Sequence, residues 1–198
     1  TGGLVIRTGE SIKLGTSKLT VDKPLRIDNG GTLSSGSGAL TINGALTLDG
    51  ELAQGGGILS LITGGSVGTG GRLDVSNSEL KLGSAQTDND TLSFAGTLVV
   101  DNGTSWSGWQ GTLDLSAGTL ESSGGTLSLD QFTTGANTAF KLSGNTEISS
   151  SDNMTFGTLD LGGNRLILGE GSAGLTLPNT LTMDNVSSAI ETKNVNLT

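Results

Sequence analysis

The chain has 198 residues, contains neither cysteine nor histidine, and carries a formal net charge of −9. An acidic chain repels phosphate backbones and anionic lipid headgroups, so the composition argues against nucleic-acid binding and against attachment to an anionic membrane. Without cysteine or histidine there are no disulfides, no thiolate nucleophiles and none of the side chains that most often act as general bases or metal ligands. Serine–histidine and cysteine–histidine catalysis are therefore excluded, and we expect no cofactor.

Glycine is over-represented, with 34 copies against only 2 prolines. The glycines do not recur at every third position, which excludes a collagen triple helix. Hydrophobic residues make up 33% of the chain and arrive in regular pairs, which argues against disorder. No apolar run reaches the roughly 18 residues that a membrane-spanning helix needs, so no membrane insertion is predicted.

A short apolar–x–apolar unit, followed by glycine, asparagine, aspartate or serine, recurs along the whole chain. Alternation with period two is typical of a short β-strand with one buried face. The units that predict strands begin, in chain order, at Leu19, Leu25, Leu40, Leu46, Leu59, Leu73, Leu80, Leu92, Leu98, Leu113, Leu127, Leu159, Leu166 and Leu175. No stretch has the apolar spacing of an amphipathic helix, so we predict an all-β fold.

The spacing of these units indicates a coiled repeat. Successive copies of Gly-Thr-Leu place Leu113, Leu120 and Leu127 seven residues apart, and the units at Leu40 and Leu46 are six apart. Sandwiches and barrels normally space their strands by about 8–12 residues, which is longer. Three short strands with three corners give a coil of roughly 20 residues. The chain would then form about nine or ten coils stacked about 4.8 Å apart, a rod of roughly 45 Å.

Glycine and asparagine supply the left-handed backbone that tight corners need, which accounts for the glycine excess. The rhythm breaks at Gln86–Asp90, Thr133–Thr138 and Ser149–Asp152, where we predict loops that project from the rod. No linker divides the chain, so residues 1–198 are interpreted as a single β-solenoid segment. Because the chain starts inside the repeat and without a signal peptide, we expect it to be an excerpt of a longer secreted protein.

The Gly-Thr-Leu units, which end at Leu33, Leu98, Leu113, Leu120, Leu127 and Leu159, and the Leu-x-Leu-(Asp/Ser)-x-Gly units carry a family resemblance. They resemble the passenger regions of bacterial autotransporter adhesins and of two-partner-secreted filamentous haemagglutinins. The resemblance covers nearly the whole chain and consists of composition and rhythm. It implies a right-handed parallel β-helix, export through an outer-membrane pore, and a role in adhesion or aggregation.

Two clusters are candidate binding sites. Asp88 and Asp90 belong to the densest group of acidic oxygens and could bind a hard cation such as Ca²⁺. The alternative is that they form a polar loop turn. Trp106 and Trp109, the two tryptophans of the chain, could stack on sugar rings if both are exposed. The alternative is that they plug a wider coil or cover an apolar patch.

Carboxylates are the remaining candidates for catalysis, because paired carboxylates hydrolyse glycosides and several polysaccharide-degrading enzymes are β-helices. Asp114, Asp130 and Asp160 lie beside predicted strands, at positions that a solvated face would fill in any case. The aromatic platforms and basic residues that accompany such carboxylates in those enzymes are scarce in this chain. We therefore predict that the chain is not an enzyme.

The main functional hypothesis is a structural and adhesive rod of a secreted or cell-surface bacterial protein. Its expected partners are host-surface or matrix glycans and proteins, or another copy of the chain, bound through many weak polar contacts. The first alternative is a β-helix that binds or cleaves polysaccharides, as a phage spike or a lyase does. A second alternative is a self-assembling fibre, because open solenoid ends expose unpaired strand edges.

Overall fold

The computed structural model describes residues 2–83, 90–101, 103–106, 112–130, 132–177, 179–184 and 186–193. Regular structure in these residues consists of β-strands, and none of the described segments is a helix that could cross a bilayer. The strands are, in chain order, β1 (Leu4–Ile6), β2 (Ser11–Lys13), β3 (Leu19–Val21), β4 (Leu25–Ile27), β5 (Thr32–Ser34), β6 (Leu40–Ile42), β7 (Leu46–Leu48), β8 (Glu51–Ala53), β9 (Ile58–Leu61), β10 (Gly65–Val67), β11 (Arg72–Asp74), β12 (Glu79–Leu82), β13 (Thr91–Phe94), β14 (Thr97–Val100), β15 (Ser105–Trp106), β16 (Thr112–Asp114), β17 (Thr119–Ser122), β18 (Gly125–Ser128), β19 (Phe132–Thr133), β20 (Ala139–Leu142), β21 (Thr146–Ser149), β22 (Asn153–Thr155), β23 (Thr158–Asp160), β24 (Arg165–Leu168), β25 (Gly174–Thr176), β26 (Thr180–Thr182) and β27 (Ala189–Thr192).

The strands pair in parallel with the strand three places further along the chain, so three faces run along the molecule. The second face is one continuous sheet of nine strands, β2, β5, β8, β11, β14, β17, β20, β23 and β26. The first face carries a seven-stranded sheet from β1 to β19 and a two-stranded sheet of β22 and β25. The third face carries a five-stranded sheet from β3 to β15 and a four-stranded sheet from β18 to β27. The fold is a parallel β-solenoid.

The strand register confirms the predicted coil. Leu25 pairs with Leu46, and Glu51 pairs with Arg72, so a coil of three strands takes about 21 residues. The nine strands of the second face give eight steps of about 4.8 Å, a length of about 38 Å. Right-handed winding stays a prediction, and it agrees with the strong preference of parallel crossover connections for that hand.

The core consists of apolar side chains that stack in columns along the axis. The inward column of the second face includes Leu33, Leu52, Leu73, Leu98, Leu120, Phe140 and Leu159, each of them at most 1% exposed. Burial of each such side chain contributes about 1.5–3 kcal/mol relative to an exposed position. Because alternate residues point inward, most outward positions of the same strands carry polar residues.

Gly64 and Gly65 show why the corners need glycine. They join the third face to the first, with φ angles of 64° and 150°. A Cβ on Gly65 would lie 2.1 Å from the carbonyl oxygen of Leu46 in the neighbouring coil. Gly65 pairs with Leu46 and Leu92, so it occupies a register position that carries leucine in the coils on either side. The backbone at this corner thus leaves no room for a side chain.

Two of the predicted projecting loops are tight corners instead. Between β19 and β20, the buried Thr138 hydroxyl donates to the carbonyl of Leu115 (2.7 Å) in the preceding coil and accepts from the backbone N–H of Gly135 (2.8 Å). Between β21 and β22, residues 150–152 alone connect the strands, and Ser150 is buried. Polar side chains close these corners by hydrogen bonding to the backbone. A break in the apolar repeat therefore marks a tight corner here and not a projecting loop. The third predicted loop, Gln86–Asp90, lies outside the described residues except for Asp90.

Candidate functional site

The second face is the longest uninterrupted surface of the described chain. Each of its strands has an inward residue flanked by two outward residues, and the outward residues form two columns along the rod. The first column is Ser11, Thr32, Glu51, Arg72, Thr97, Thr119, Ala139, Thr158 and Thr180, in the order given by the strand register. The second column is Lys13, Ser34, Ala53, Asp74, Val99, Glu121, Lys141, Asp160 and Thr182. The second face therefore presents short hydroxyl side chains beside a column that contains charges of both signs.

An ion pair crosses the middle of the second face. Nη1 of Arg72 on β11 lies 2.7 Å from Oε2 of Glu121 on β17, and on the intervening strand β14 Thr97 pairs with Arg72 and Val99 pairs with Glu121. Val99 takes an outward position, yet it is only 7% exposed. We infer that the extended Arg72 side chain shields this apolar residue, because arginine covers apolar surface with its methylene stem while its head group stays at the surface.

Alternating charges follow on the C-terminal half of the second column. Glu121, Lys141 and Asp160 are register neighbours on β17, β20 and β23, with a cation between two carboxylates. Together with Leu142 and Ser143 they line a shallow hollow of about 260 Å³. Side chains of opposite sign at strand spacing attract weakly in water, so the exposed Lys141 stays available to a partner surface.

A trough runs along the corner between the second and third faces. It has a volume of about 550 Å³, and its lining includes Lys18, Gly38, Gly57, Glu79 and Ser105 from successive coils. The floor is kept free of side chains by backbone stacking. A Cβ on Gly38 would lie 1.9 Å from a carbonyl oxygen of the preceding coil, and one on Gly57 would lie 2.1 Å from the Gly38 oxygen.

Sequence reasoning did not single out this trough. Its signal in the sequence is the glycine triplet at residues 55–57. Beneath it, the buried Gln54 amide donates hydrogen bonds to the carbonyls of Gly36 (3.2 Å) and Gly38 (2.7 Å), while its Oε1 has no partner among the described residues. A single glutamine within a polar corner gives no hint in the sequence that its side chain supports the neighbouring coil.

The three candidate catalytic carboxylates lie on different parts of the rod. Asp114 is on the first face, Asp160 is on the second, and Asp130 follows β18 of the third face. Asp114 and Asp160 each accept a hydrogen bond from the backbone N–H two residues further on, at 3.0 and 3.1 Å. These contacts are Asx-turn bonds, so both carboxylates help to shape a corner. The structure does not bring the three together as a catalytic pair.

Asp130 makes the strongest corner contact of the three. Its Oδ1 accepts from the backbone N–H of Ser151 in the next coil at 2.6 Å, and its Oδ2 accepts from the Ser128 hydroxyl at 3.0 Å. The Ser151 backbone bond is the main cause of a lowered pKa for Asp130; partial burial raises this pKa, and the Ser128 hydroxyl lowers it further. The carboxylate is therefore held in its charged form as a link between coils.

The predicted binding residues are placed only in part. Asp88 and Trp109 lie outside the described residues. Asp90 precedes β13, is half-buried, and accepts a backbone hydrogen bond from Thr112 (3.0 Å) through its carbonyl oxygen. In the described part of the chain, no group of three or more acidic, histidine or cysteine side chains is arranged to hold a metal ion. The cation site at Asp88 and Asp90 stays a prediction.

Trp106 ends β15, where it pairs with Leu80 of the preceding coil. The Leu80 side chain is fully buried. Trp106 thus continues, in the backbone register, a column of the third face that carries Leu19, Leu40, Leu59 and Leu80. Sugar stacking by Trp106 and Trp109 stays a prediction.

Comparison of the chain with protein-family models, with curated proteins and with solved structures finds no match.

Proposed function

We propose that this chain is the rod of a secreted or cell-surface adhesive protein, and that the second face makes many weak polar contacts with its partner. The observation that carries the proposal is the unbroken nine-strand sheet with two outward columns. Each hydroxyl or charged side chain at a strand spacing of about 4.8 Å adds one weak contact, and a rigid rod holds these contacts in line. Linked weak contacts add through effective concentration, so avidity rises far above the affinity of any single contact.

The resemblance to autotransporter and filamentous-haemagglutinin passengers supports export to the bacterial surface. The proposed partners are host-surface or matrix glycans and proteins, or a second copy of the chain. A polar, flat surface of this kind suits partners that offer hydrogen-bonding groups in a row, because such interfaces depend on many hydrogen bonds and bridging waters. We propose a binding role without catalysis.

The test is cell adhesion and aggregation by the full-length protein with altered outward residues. The second-face variant combines Thr97→Lys, Thr119→Lys and Thr158→Lys, which replaces three short hydroxyls of one column with long cations. We expect adhesion and aggregation to fall by about tenfold or more, because lost contacts multiply in a multivalent interaction. The amount of protein on the cell surface and its circular dichroism spectrum are measured in parallel, so that a folding defect is recognised.

The matched control places the same three cations on the first face, as Thr47→Lys, Ser66→Lys and Thr133→Lys. These residues are exposed, whereas the three second-face threonines are half-buried, and both sets sit on strands of the rod. The control should keep most of the adhesion. If the second-face variant adheres and aggregates as well as the wild type, the second face is not the contact surface.

A second proposal, polysaccharide binding, is supported by the corner trough. The trough crosses several coils along the axis and has a polar floor with a lysine and a glutamate among its lining residues. An extended sugar chain presents hydroxyls at regular intervals to such a groove. Glycan-array binding by the purified chain would support this function, and release of reducing ends from the bound glycan would indicate cleavage. Array binding that survives Lys18→Ala and Glu79→Ala would place the glycan elsewhere.

A further inference from the structure

An asparagine followed by a glycine, called an Asn–Gly step below, is a chemically unstable pair of residues. The backbone nitrogen of the glycine can attack the side-chain amide carbon of the asparagine, because glycine has no Cβ to hinder the approach. In a folded protein the reaction depends on whether these two atoms can come together, since intramolecular rates depend steeply on approach geometry. Among the described residues, such steps occur at Asn29–Gly30 and Asn43–Gly44.

Asn29 lies in an open corner between the first and second faces. Both Asn29 and Gly30 are exposed, and Gly30 has a left-handed φ of 79°. The Asn29 backbone oxygen accepts a hydrogen bond from the Thr8 hydroxyl (2.7 Å), while the Asn29 side-chain amide makes no hydrogen bond within the described residues. The corner opens into a hollow of about 510 Å³ that water can enter.

Asn43 lies in a closed corner between the third and first faces. Its Nδ2 donates to Oδ1 of Asp22 at 2.8 Å, which fixes the side-chain amide. Gly44 packs directly on the neighbouring coil, because a Cβ on it would lie 2.4 Å from the backbone nitrogen of Pro24. The Asn43 carbonyl also accepts a hydrogen bond from Thr63 (3.3 Å). Rotation of this step into a reactive conformation would break contacts on both sides.

We propose that Asn29 is a site of spontaneous deamidation in the folded protein and that Asn43 is protected by its corner. The Gly30 backbone nitrogen loses its proton and forms a bond with Cγ of Asn29, and ammonia leaves to give a five-membered succinimide. Water then opens the ring at either carbonyl, which gives aspartate or isoaspartate. The overall change is an amide plus water giving a carboxylate and an ammonium ion.

The product changes the charge and the backbone of this corner. The new carboxylate lies next to Asp28, whose Oδ1 is paired with Nε of Arg26 at 2.6 Å. Two adjacent carboxylates then compete for one guanidinium group. Isoaspartate also lengthens the main chain by one methylene at a corner where the N–H of Gly9 donates to the carbonyl of Gly30 (3.0 Å). We expect the reaction to loosen the stacking of the first two coils.

The experiment follows both steps by peptide mass spectrometry in the purified chain, folded and in denaturant. In denaturant Asn29 and Asn43 should react at similar rates, because glycine follows both asparagines. In the folded chain, Asn43 should react about tenfold or more slowly than in denaturant, whereas Asn29 should react within a few-fold of its denatured rate. The rate should rise with pH, because the attacking nitrogen must lose its proton, and ion exchange should separate a more acidic form.

Two variants sharpen the result. Asn29→Gln should abolish deamidation in the peptide that contains position 29, since the longer side chain makes ring closure slow. Asp22→Ala should speed the reaction at Asn43 in the folded chain, because it removes the hydrogen bond that fixes the amide. Protection of Asn29 equal to that of Asn43, or faster loss of ammonia at Asn43, would overturn the proposal.

Discussion

Hydroxyl and carboxylate side chains at the corners add links between one coil and the next, beside the strand pairing. Thr104 and Thr138 each donate from a buried hydroxyl to a carbonyl of the preceding coil, at Val75 (3.0 Å) and Leu115 (2.7 Å). A corner interrupts the backbone ladder between coils, and an unpaired polar group in the interior is costly. These side chains supply the missing partners, so polar corner residues contribute to stability as well as to solubility.

Thr138→Val tests this role at one buried corner. Valine keeps the shape of threonine but removes the hydroxyl, so the N–H of Gly135 loses its hydrogen-bond acceptor. We expect the free energy of unfolding to fall by about 0.5–1.5 kcal/mol, the net contribution of an ordinary hydrogen bond. The measurement is urea denaturation followed by circular dichroism.

The control for this substitution is Thr126→Val on the exposed side of β18. A surface threonine without a buried partner should change stability by less than about 0.5 kcal/mol when it is replaced by valine. Equal effects at positions 126 and 138 would show that the Thr138 hydroxyl has no special part in the corner.

Asp130 makes the stability of the rod depend on pH. Its folded-state pKa is lowered, mainly by the backbone N–H of Ser151, so its contribution to stability is present above the unfolded-state pKa of about 4. That contribution is lost as the pH falls through the folded-state pKa. We therefore expect Asp130→Asn to lower the urea midpoint near neutral pH and to have a smaller effect as the pH falls below about 4. A difference between the two proteins that grows in acid would contradict this assignment.

At the scale of strands and corners, the sequence predicted most of the fold. Leucine units at Leu25, Leu46 and Leu98 mark strands because each has two inward apolar residues in alternation. Strand β10 lacks the apolar–x–apolar unit and was not predicted, because one of its two inward positions is Gly65 and only Val67 is apolar. Strands supported by one apolar residue become visible only when the register of the neighbouring coil is known.

The candidate site could not be read from the sequence in the same way. The bridge from Arg72 to Glu121 joins residues 49 positions apart, across two coils whose lengths differ. Coil lengths vary because corners vary, and an error of one residue turns an outward side chain inward. Short polar side chains at the outward positions of the second face were therefore predictable from the sequence. The alignment of these side chains in columns and the ion pair between Arg72 and Glu121 were not.

Gly65→Ala tests the stacking of a corner. The φ of 150° is unfavourable for alanine, and the new Cβ would lie 2.1 Å from the Leu46 carbonyl oxygen. We expect a loss of stability of about 2 kcal/mol or more, because both the backbone and the coil spacing must shift. Stability is measured from the urea midpoint and the m-value.

Gly55→Ala is the matched control in the same half of the rod. The nearest atom to a Cβ on Gly55 lies at 3.8 Å, an ordinary contact, and its φ is not in the left-handed region. This substitution should be tolerated within about 0.5 kcal/mol. A large loss at Gly55 or none at Gly65 would mean that corner packing is looser than the structure indicates.

For the whole molecule, stability is a sum of coils and of the interfaces between them. Leu98 is fully buried between two neighbouring coils of the second face, whereas Leu181, in the same inward column, is 43% exposed. We expect Leu98→Ala to cost about 2–5 kcal/mol, and Leu181→Ala less than about 1 kcal/mol. Chemical denaturation of both variants tests whether a central coil contributes more than a peripheral one, and equal losses would argue against a coil-by-coil account.

The strand pairing has a consequence for how the rod is made and how it comes apart. Apart from β18 and β22, which each begin a sheet, the strands after the first coil pair with a strand of the preceding coil, so the chain never has to close a long loop. Such a molecule can grow in the order of its synthesis, with each finished turn serving as the template for the next. A mechanical load applied at one end would peel turns away singly, and the remaining stack would stay intact and ready to rewind.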